Sequence, residues 1–348
     1  MADLPDTMRA LTLLHDGYSG TSEGPQLDDL ARWVTLEDVS VPKPEGRQVL
    51  VKIGLANVNP SDIHYIKGEY GQPRRKGMPA GFEGMGTVVS AGEDEEAQGL
   101  VGQRVAVSTS QGGSGTWAQY ALTDKAAVVP LAKGLKDEDG AALIVNPMTA
   151  YAMVDLVQKA GAKSFVMTAA SSQLGKLMAS LGREKGLHSV ATVRREAHRS
   201  PLEGLGAGTV LNTERDDFST MLDQAMKQHA PTILLDAVGD TTSATIFRAM
   251  PAGGRWILYG KMSPEVPKLP DLGQLVFQMK TIEGFWLAEW MRDASMEDKK
   301  AGFETVQKRF ISGAWATDVS DTLPLDEAPA KLASAMEGAN KGKVLLKP

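Results

Sequence analysis

The stretch that decides the fold runs from Lys163 to Glu196 and reads KSFVMTAASSQLGKLMASLGREKGLHSVATVRRE. It divides into a short apolar strand, a turn of small residues, a helix, a second apolar strand and a charged tip, at 165–167, 168–175, up to about 184, 189–193 and 194–196. This order of segments is typical of a βαβ unit that binds a dinucleotide.

The turn before the helix is the candidate for pyrophosphate binding, with Ser171, Ser172, Gln173, Leu174 and Gly175 as its residues. The first backbone N–H groups of a helix are unpaired and partly positive, and small residues let the backbone approach an anion. Of the G-x-G-x-x-G pattern, only the last glycine, Gly175, is plainly present. Taken alone, the turn is as compatible with an ordinary strand–helix connection as with a cofactor site.

The charged tip Arg194-Arg195-Glu196 bears on the choice of cofactor. An acidic residue at the end of the second strand accepts a hydrogen bond from the ribose 2′-hydroxyl of NAD, whereas arginine suits the 2′-phosphate of NADP. Two arginines come first here and favour NADPH. Glu196, an acidic residue at the same tip, keeps NAD as an alternative cofactor.

The composition is that of an ordinary globular protein with room for two domains in 348 residues. The net charge of −6 argues against nucleic acid or an anionic membrane as a partner, and no apolar run approaches the ~20 residues of a membrane span. The chain has no cysteine and its five histidines show no ligand spacing, so disulfides, thiol nucleophiles and cysteine-ligated metals are excluded. The amino terminus does not have the pattern of a signal peptide, and we expect a cytoplasmic protein.

The chain has two consecutive parts with different patterns of predicted secondary structure. Residues 8–125 contain short strands separated by glycine-rich turns, which predicts a barrel-like domain. From about Asp137 strands and helices alternate, which predicts a doubly wound parallel sheet. The predicted elements here are helices at 141–159, 173–185, 216–228 and 242–249, and strands at 165–170, 188–194, 209–211, 232–237, 255–259 and 281–287. A helix at 296–312 and a last strand at 342–346 follow, and that strand could return to pair with the first domain.

Two polar features stand out in the β-rich part. Asn57-Val58-Asn59-Pro60-Ser61-Asp62 follows a strand and is equally compatible with a turn. Tyr70 comes eight residues after Asp62, within Lys67-Gly68-Glu69-Tyr70-Gly71, and a lone loop tyrosine is more often a packing or surface residue than a catalytic one.

With these segments in view, the chain resembles the medium-chain dehydrogenase/reductase superfamily, and within it the zinc-independent 2-enoyl thioester reductases of the mitochondrial trans-2-enoyl-CoA type. The similar segments occur in the family's order and span most of the chain. They are N-x-N-P-S-D with G-x-Y at 57–71, G-x-E-G at 81–84, G-T-W at 115–117, N-P-x-T-A-Y at 146–151, a Y-G-G-M counterpart at 259–262 and G-F-W-L at 284–287.

The resemblance implies an α/β protein with a GroES-like β-barrel catalytic domain at 1–140 and 290–348 and a Rossmann cofactor domain at 141–289. It implies Tyr70 as the proton donor. It implies NADPH contacts from the turn and arginines above, and also from Asn146, Tyr259, Gly260, Lys261, Met262, Phe285, Trp286, Leu287 and Lys343. Asn59, Trp117 and Trp286 are the candidates for substrate contacts, although core or dimer packing is the commoner reason for tryptophans at such positions.

The chain departs from the family pattern at a few positions. Gln173 and Lys261 stand where the family has glycine, and Arg195 and Glu196 alter the usual order of charges at the tip. Zinc can be judged separately: Phe82 stands where the zinc-dependent branch has the histidine of G-H-E, and cysteine is missing, so we expect no catalytic metal.

The residues therefore predict an NADPH-dependent reductase of an activated C=C bond, with a 2-enoyl thioester as the first substrate class. An NADPH:quinone or alkenal (enone) oxidoreductase of the same fold is the first alternative, and an NADPH-binding protein with little turnover is the second. A homodimer is plausible, because the strands near 255–259 and 281–287 could pair across a two-fold axis.

Overall fold

The computed structural model describes residues 4–110, 112–269, 271–337 and 341–348. The chain divides into two compact units, one formed by Met1–Val145 with Thr305–Pro348 and the other by Asn146–Glu304. We call them the barrel unit and the parallel-sheet unit.

The elements are numbered in chain order. The strands are β1 (Thr7–Leu13), β2 (Val34–Ser40), β3 (Gln48–Val58), β4 (Glu83–Ala91), β5 (Arg104–Ser108), β6 (Tyr120–Asp124), β7 (Val128–Pro130), β8 (Ser164–Met167), β9 (His188–Val193), β10 (Thr209–Asn212), β11 (Ile233–Asp236), β12 (Arg255–Leu258), β13 (Thr281–Gly284), β14 (Val319–Pro324) and β15 (Lys343–Lys347). The helices are α1 (Pro60–Lys67), α2 (Glu95–Gln98), α3 (Asp137–Ala141), α4 (Val145–Lys159), α5 (Gln173–Glu184), α6 (Arg199–Leu205), α7 (Phe218–His229), α8 (Thr241–Ala249), α9 (Gly273–Phe277), α10 (Leu287–Asp293), α11 (Met296–Ile311) and α12 (Ala328–Glu337).

The barrel unit is built around β3, which pairs antiparallel with β4, β6 and β15. Six strands of its seven-stranded sheet follow the order β14-β15-β3-β4-β5-β7, and the seventh, β6, pairs with β3 beside this path. The strands β1 and β2 form a separate antiparallel pair. The last strand therefore does return to the first part of the chain, as the sequence predicted. Leu11, Val51, Ile63, Trp117 and Leu346 are among the residues of its core.

The parallel-sheet unit has six parallel strands in the order β10-β9-β8-β11-β12-β13. Counted from β8, this is the 3-2-1-4-5-6 order of the Rossmann fold, and its order reverses between β8 and β11. The residues of β8 and β11 are buried, which explains why these strands are runs of mostly apolar residues rather than alternating patterns. The GroES-like and Rossmann expectation is confirmed.

Three predicted elements were wrong by three or four residues at one end. The helix expected from residue 141 begins at Val145, and Pro147 lies in its first turn, where no N–H is needed. The strand expected to reach residue 170 ends at Met167, and the strand expected to reach residue 287 ends at Gly284 because α10 begins at Leu287. Asn57–Asp62 is not a simple turn: it is the end of β3 and the capped start of α1.

Candidate functional site

The turn after β8 leads into a capped helix that lies close against it, despite the missing glycines. Ser172 caps α5, and its hydroxyl accepts a hydrogen bond from the N–H of Gly175 at 3.2 Å. A Cβ on Gly175 would lie 2.4 Å from the carbonyl oxygen of Ala170, so only glycine allows the helix to approach the turn this closely. The single glycine of the pattern is thus the one that helix packing requires.

The other positions of the turn adapt without glycine. Ala169 has a φ of +47°, a left-handed conformation that is uncommon for a residue with a side chain. Ala170 and Ser172 are small. Gln173 is the first residue of α5, directly after the capping serine, so its side chain belongs to the first helical turn. Small residues and a capped helix start fit a pyrophosphate.

The tip of β9 carries two exposed arginines. Neither Arg194 nor Arg195 has an ion-pair partner within the described residues. Glu196, the carboxylate that left NAD open, is paired: its oxygens accept from Arg199 and Asn212. The hydrogen bond from Arg199 holds the pKa of Glu196 below its usual value, so this group is charged at neutral pH. The tip therefore presents positive charge that suits a phosphate.

A buried carboxylate holds the edge of the sheet where its strand order reverses. Asp236, at the end of β11, is completely buried and accepts five hydrogen bonds. Its donors are the Thr168 hydroxyl (2.5 Å), the Val238 N–H (2.9 Å), the Gly239 N–H (3.1 Å), the Ser243 hydroxyl (3.0 Å) and the Trp256 indole N–H (2.8 Å). These donors come from the ends of β8 and β11, from α8 and from β12. The switch point, where Rossmann folds bind ligands, is thus fixed by one side chain.

The two segments expected at the nicotinamide end follow β12 and β13 at the same edge. The N–H of Tyr259 donates to the carbonyl of Asp236 at 2.9 Å, and that of Phe285 donates to Leu258 at 2.8 Å. The Tyr259 hydroxyl is buried without a hydrogen-bond partner in the described chain. Burial is the main reason that its pKa lies above the ordinary value, and the nearby Asp236 raises the pKa further. Gly260 and Met262 follow, and Met262 donates to Ala237 at 3.0 Å. Lys261 is exposed.

Phe285 and Trp286 line an open cavity of about 400 Å³ in the parallel-sheet unit. Trp286 occupies the N-cap position of α10, and Trp290 lies within that helix and also lines the cavity. Trp286, for which the sequence left packing or a substrate contact open, is thus partly exposed at a cavity. Leu287 begins the helix.

Tyr70 lies in a loop of the barrel unit that neighbouring side chains hold in place. Its ring packs on Phe82, with 4.9 Å between ring centroids. The preceding residue, Glu69, has a side chain only 1 % exposed and accepts hydrogen bonds from the Thr21 hydroxyl (2.7 Å) and from the N–H groups of Glu23 (2.7 Å) and Gly24 (3.1 Å). A buried carboxylate with several donors fixes the backbone on both sides of it, so the position of Tyr70 is well defined.

Arg74 closes the same loop from the other side. Its guanidinium donates to the carbonyl oxygens of Gly17, Ile66 and Asp16 at 3.0 to 3.3 Å. The tyrosine loop is therefore held at two places, which we call its clamps: the buried Glu69 with its three donors, and Arg74 with its three carbonyl acceptors. The sequence had suggested neither.

A buried polar cluster lies between β3, β4 and β15. We define it as Asn57, Asn59, Asp62, Glu83 and Lys343, all of which are less than 9 % exposed. Glu83 accepts from the amides of Asn57 (2.8 Å) and Asn59 (2.7 Å), and Lys343 donates to the amide oxygen of Asn59. One ammonium thus lies among two carboxylates. These contacts account for the Asn59 amide and the Lys343 ammonium; their predicted contacts with substrate and cofactor stay predictions.

Glu83 also connects this cluster to the start of α4. Its second oxygen accepts from the N–H groups of Ile144 (3.0 Å) and Val145 (2.8 Å), so the carboxylate caps the helix whose second residue is Asn146. Within the described residues, no three histidine, aspartate or glutamate side chains are grouped to hold a metal ion. Trp117 is fully buried and donates its indole N–H to the carbonyl of Asn57 at 3.2 Å, as a core residue does.

The cluster predicts a pH-dependent stability. Burial raises the pKa of Asp62 from 3.8 to about 7, in spite of hydrogen bonds from the N–H groups of Asn59 and Phe82. Because the folded state binds this proton more tightly, the free energy of unfolding should fall as pH rises from about 4 to about 7, by an amount on the order of 3–4 kcal/mol. Asp62→Asn imitates the protonated carboxyl and should flatten this slope, measured by urea unfolding at several pH values.

Asp94→Asn is the matched control in the same unit. Hydrogen bonding to Lys125 lowers the pKa of Asp94, so its titration lies below this window and the slope between pH 4 and 7 should persist. An unchanged slope in Asp62→Asn would contradict the assignment to Asp62.

The structure brings the predicted residues together in two groups. Ser171–Gly175, Arg194, Arg195, Tyr259–Met262 and Phe285–Leu287 lie along the carboxyl edge of the parallel sheet, and Asn59 and Lys343 lie in the buried cluster of the barrel unit. Sequence reasoning missed Asp236, Glu69 and Arg74. Only the pattern of an acidic residue ending an apolar strand could have pointed to Asp236.

Comparison with known proteins identifies the family of the chain. Residues 45–133 match the alcohol dehydrogenase GroES-like domain family, and residues 173–299 match the zinc-binding dehydrogenase family. The crystal structure of a Mesorhizobium loti protein, described provisionally as an NADPH:quinone reductase, is 46 % identical, with a TM-score of 0.94 over 99 % of this chain and 100 % of that one.

Mitochondrial enoyl-[acyl-carrier-protein] reductases are also similar. The Caenorhabditis elegans enzyme is 31 % identical over 80 % of this chain and 77 % of its own length. The Bos taurus enzyme is 27 % identical over 98 % of this chain and 89 % of its own length.

Proposed function

Because the chain belongs to the medium-chain dehydrogenase/reductase superfamily, in its branch of enoyl and quinone reductases, we propose that it reduces the C=C bond of a 2-enoyl thioester with NADPH. NADPH-dependent enoyl or quinone reduction is the general activity of this branch. The thioester substrate and the role of Tyr70 are the specific parts of the proposal.

The observation that carries the proposal is the clamped Tyr70 loop. Reduction of an enoyl thioester requires a proton for the alkene carbon that does not receive the hydride, whereas reduction of a quinone needs no dedicated donor. A tyrosine fixed on Phe82 and bracketed by the buried Glu69 and by Arg74 has the rigidity that such a donor requires.

The cofactor residues fit NADPH on the chain's own geometry. Gly175 lets the start of α5 lie close against the turn, where the pyrophosphate would bind in this proposal, and Arg194 and Arg195 offer unpaired charge to a 2′-phosphate. NADPH, when bound, supplies a hydride to one alkene carbon. Tyr70 gives its hydroxyl proton to the other. A tyrosine is protonated at neutral pH, as a donor must be.

A substrate panel tests the proposal. NADPH oxidation is measured with crotonyl-CoA, a longer enoyl-CoA, a benzoquinone and a 2-alkenal at matched concentrations. We expect the highest kcat/KM with an enoyl-CoA. Turnover of the quinone alone would contradict the thioester assignment, and NADPH binding without turnover of any substrate would contradict enzymatic function.

Quinone or alkenal reduction is the second candidate. The 46 % identity to the Mesorhizobium loti protein favours it. In that case the Tyr70 hydroxyl is dispensable, and Tyr70→Phe should keep nearly full activity. The first candidate predicts a large loss of activity in the same variant.

We also propose a homodimer formed through β13. β12 is hydrogen-bonded to β11 and to β13, so of the two strands named from the sequence only β13 is an edge strand. Phe277 (87 % exposed), Met279 (74 %) and Ile282 (40 %) expose apolar side chains at and just before this edge. Sedimentation of the protein should give twice the chain mass, and Ile282→Lys should lower it.

No helix in the described part of the chain has the length and apolarity needed to cross a bilayer. A cytoplasmic location stays a prediction.

A further inference from the structure

Glu196 occupies the position at which a dinucleotide-binding unit carries the acid that selects NAD. It lies 21 residues after Gly175, close to the roughly 20-residue spacing at which an acidic residue binds the ribose 2′-hydroxyl. It also follows β9 directly after Arg194 and Arg195. By spacing and residue type alone, this carboxylate should oppose the 2′-phosphate of NADPH.

The structure shows how the carboxylate is occupied. Glu196 Oε1 accepts from the Arg199 guanidinium, and Oε2 accepts from the Asn212 amide at 3.2 Å. Arg199 is itself anchored, because it donates to the carbonyl oxygen of Val210 at 2.5 Å. Arg199 starts α6, and Asn212 ends the neighbouring strand β10. Both partners therefore belong to regular elements and hold Glu196 from two sides.

Other charges that follow the tip also form ion pairs. Arg215 forms a two-point ion pair with Asp217, at 2.8 and 2.9 Å. Arg199 pairs with Glu196 and also lies 3.8 Å from the carboxylate of Glu203. Arg194 and Arg195, by contrast, have no ion-pair partner within the described residues.

We propose that Arg199 and Asn212 are positioning residues for cofactor selectivity, which neutralise Glu196 and occupy both of its oxygens, so that the tip selects a 2′-phosphate over a 2′-hydroxyl. The inference rests on the proposed use of NADPH. It explains how a chain with an acid at the NAD-selecting position favours NADPH. Without Arg199, Glu196 is an uncompensated negative charge beside the phosphate site and a free acceptor for a ribose hydroxyl.

The test separates binding from turnover. The affinities of 2′,5′-ADP and of 5′-AMP are measured by titration calorimetry, and kcat/KM is measured with NADPH and with NADH. In Arg199→Gln we expect 2′,5′-ADP to bind about tenfold more weakly while 5′-AMP binds equally well or better, because the unpaired Glu196 carboxylate then repels the 2′-phosphate. The ratio of kcat/KM for NADPH over NADH should fall to a similar extent, through KM rather than kcat.

Removal of the freed charge should restore selectivity. The double variant Arg199→Gln/Glu196→Gln should bind 2′,5′-ADP within about threefold of the wild type, because the carboxylate acts only through its charge. A purely structural role of Arg199 would not be rescued in this way. Arg215→Gln, which removes an equal charge from the next strand end but leaves both partners of Glu196, should change the ratio less than about twofold.

Three results would overturn the inference. Failure of the double variant to recover would show that Arg199 does not act through Glu196, but as a structural residue or as a direct contact of the phosphate. If the ratio of kcat/KM for NADPH over NADH is unchanged in Arg199→Gln while the wild type uses NADPH normally, the inference is wrong and the proposed function is unaffected. If the wild type prefers 5′-AMP and NADH, both the inference and the NADPH assignment fail.

Discussion

Tyr70→Phe is expected to lower kcat/KM for an enoyl-CoA by about 10²–10⁴, the usual contribution of a positioned general acid. The substitution removes one hydroxyl and keeps the ring that packs on Phe82. The loss should therefore appear in kcat, with little change in the KM for NADPH. Steady-state kinetics with crotonyl-CoA measure it, and the same variant should reduce a benzoquinone at nearly the wild-type rate.

Tyr65→Phe is the matched control. The Tyr65 ring packs on the same Phe82, at 5.1 Å between centroids, from within α1. Loss of its hydroxyl should leave kcat/KM for the thioester within about twofold, because packing on Phe82 is kept in both variants. Equal losses in the two variants, or full thioester activity in Tyr70→Phe, would remove Tyr70 from the mechanism. A cofactor-bound structure with the Tyr70 hydroxyl remote from nicotinamide C4 would do the same.

The parallel sheet could be predicted closely from the sequence because its strands carry their own signal. Strands covered by helices on both faces are runs of mostly apolar residues, such as Phe165–Met167, and small or charged residues mark their ends. The tip arginines could also be predicted, because their position follows from the end of β9. Local sequence was enough wherever the relevant neighbours are adjacent in sequence.

The clamps and the buried cluster could not be predicted, because their partners are distant in sequence. Glu69 meets residues near position 23, and Lys343 meets Asn59, which lies 284 positions away. A glutamate in a loop or a lysine in a last strand normally indicates a solvated side chain. Here both side chains are buried and make structural hydrogen bonds, and their burial is determined only by the complete fold.

The turn with Gln173 shows where a pattern misleads. The missing glycines weakened the interpretation of this turn as a nucleotide site. The tight connection from β8 to α5 is nevertheless formed, with Ala169 in a left-handed conformation and Ser172 as the cap. Such a residue costs roughly 1–2 kcal/mol, which the packing around it must offset. A glycine fingerprint therefore describes one way to build the turn.

The second large effect is expected at Asp236. Asp236→Ala should lower the free energy of unfolding by about 3–5 kcal/mol, because it leaves five donors in a dry interior without their acceptor. The loss should be seen in urea unfolding followed by tryptophan fluorescence, to which Trp256, whose indole is one of the donors, contributes. NADPH affinity should fall as well, because the Thr168 and Val238 ends of the switch point are no longer tied together.

Asp240→Ala separates this network from ordinary helix capping. Asp240 caps α8 and accepts from the Ser243 N–H at 2.9 Å, so its loss should cost about 1 kcal/mol and leave NADPH affinity nearly unchanged. Asp236→Asn should fall between the two alanine variants, because an amide keeps one acceptor oxygen and turns an NH₂ group towards the other donors. If Asp236→Ala costs no more than Asp240→Ala, the carboxylate does not organise this edge, and the strand ends are fixed by β-sheet pairing alone. The size of the difference between these two aspartates, only four residues apart, measures how much of the cofactor site depends on a single buried charge.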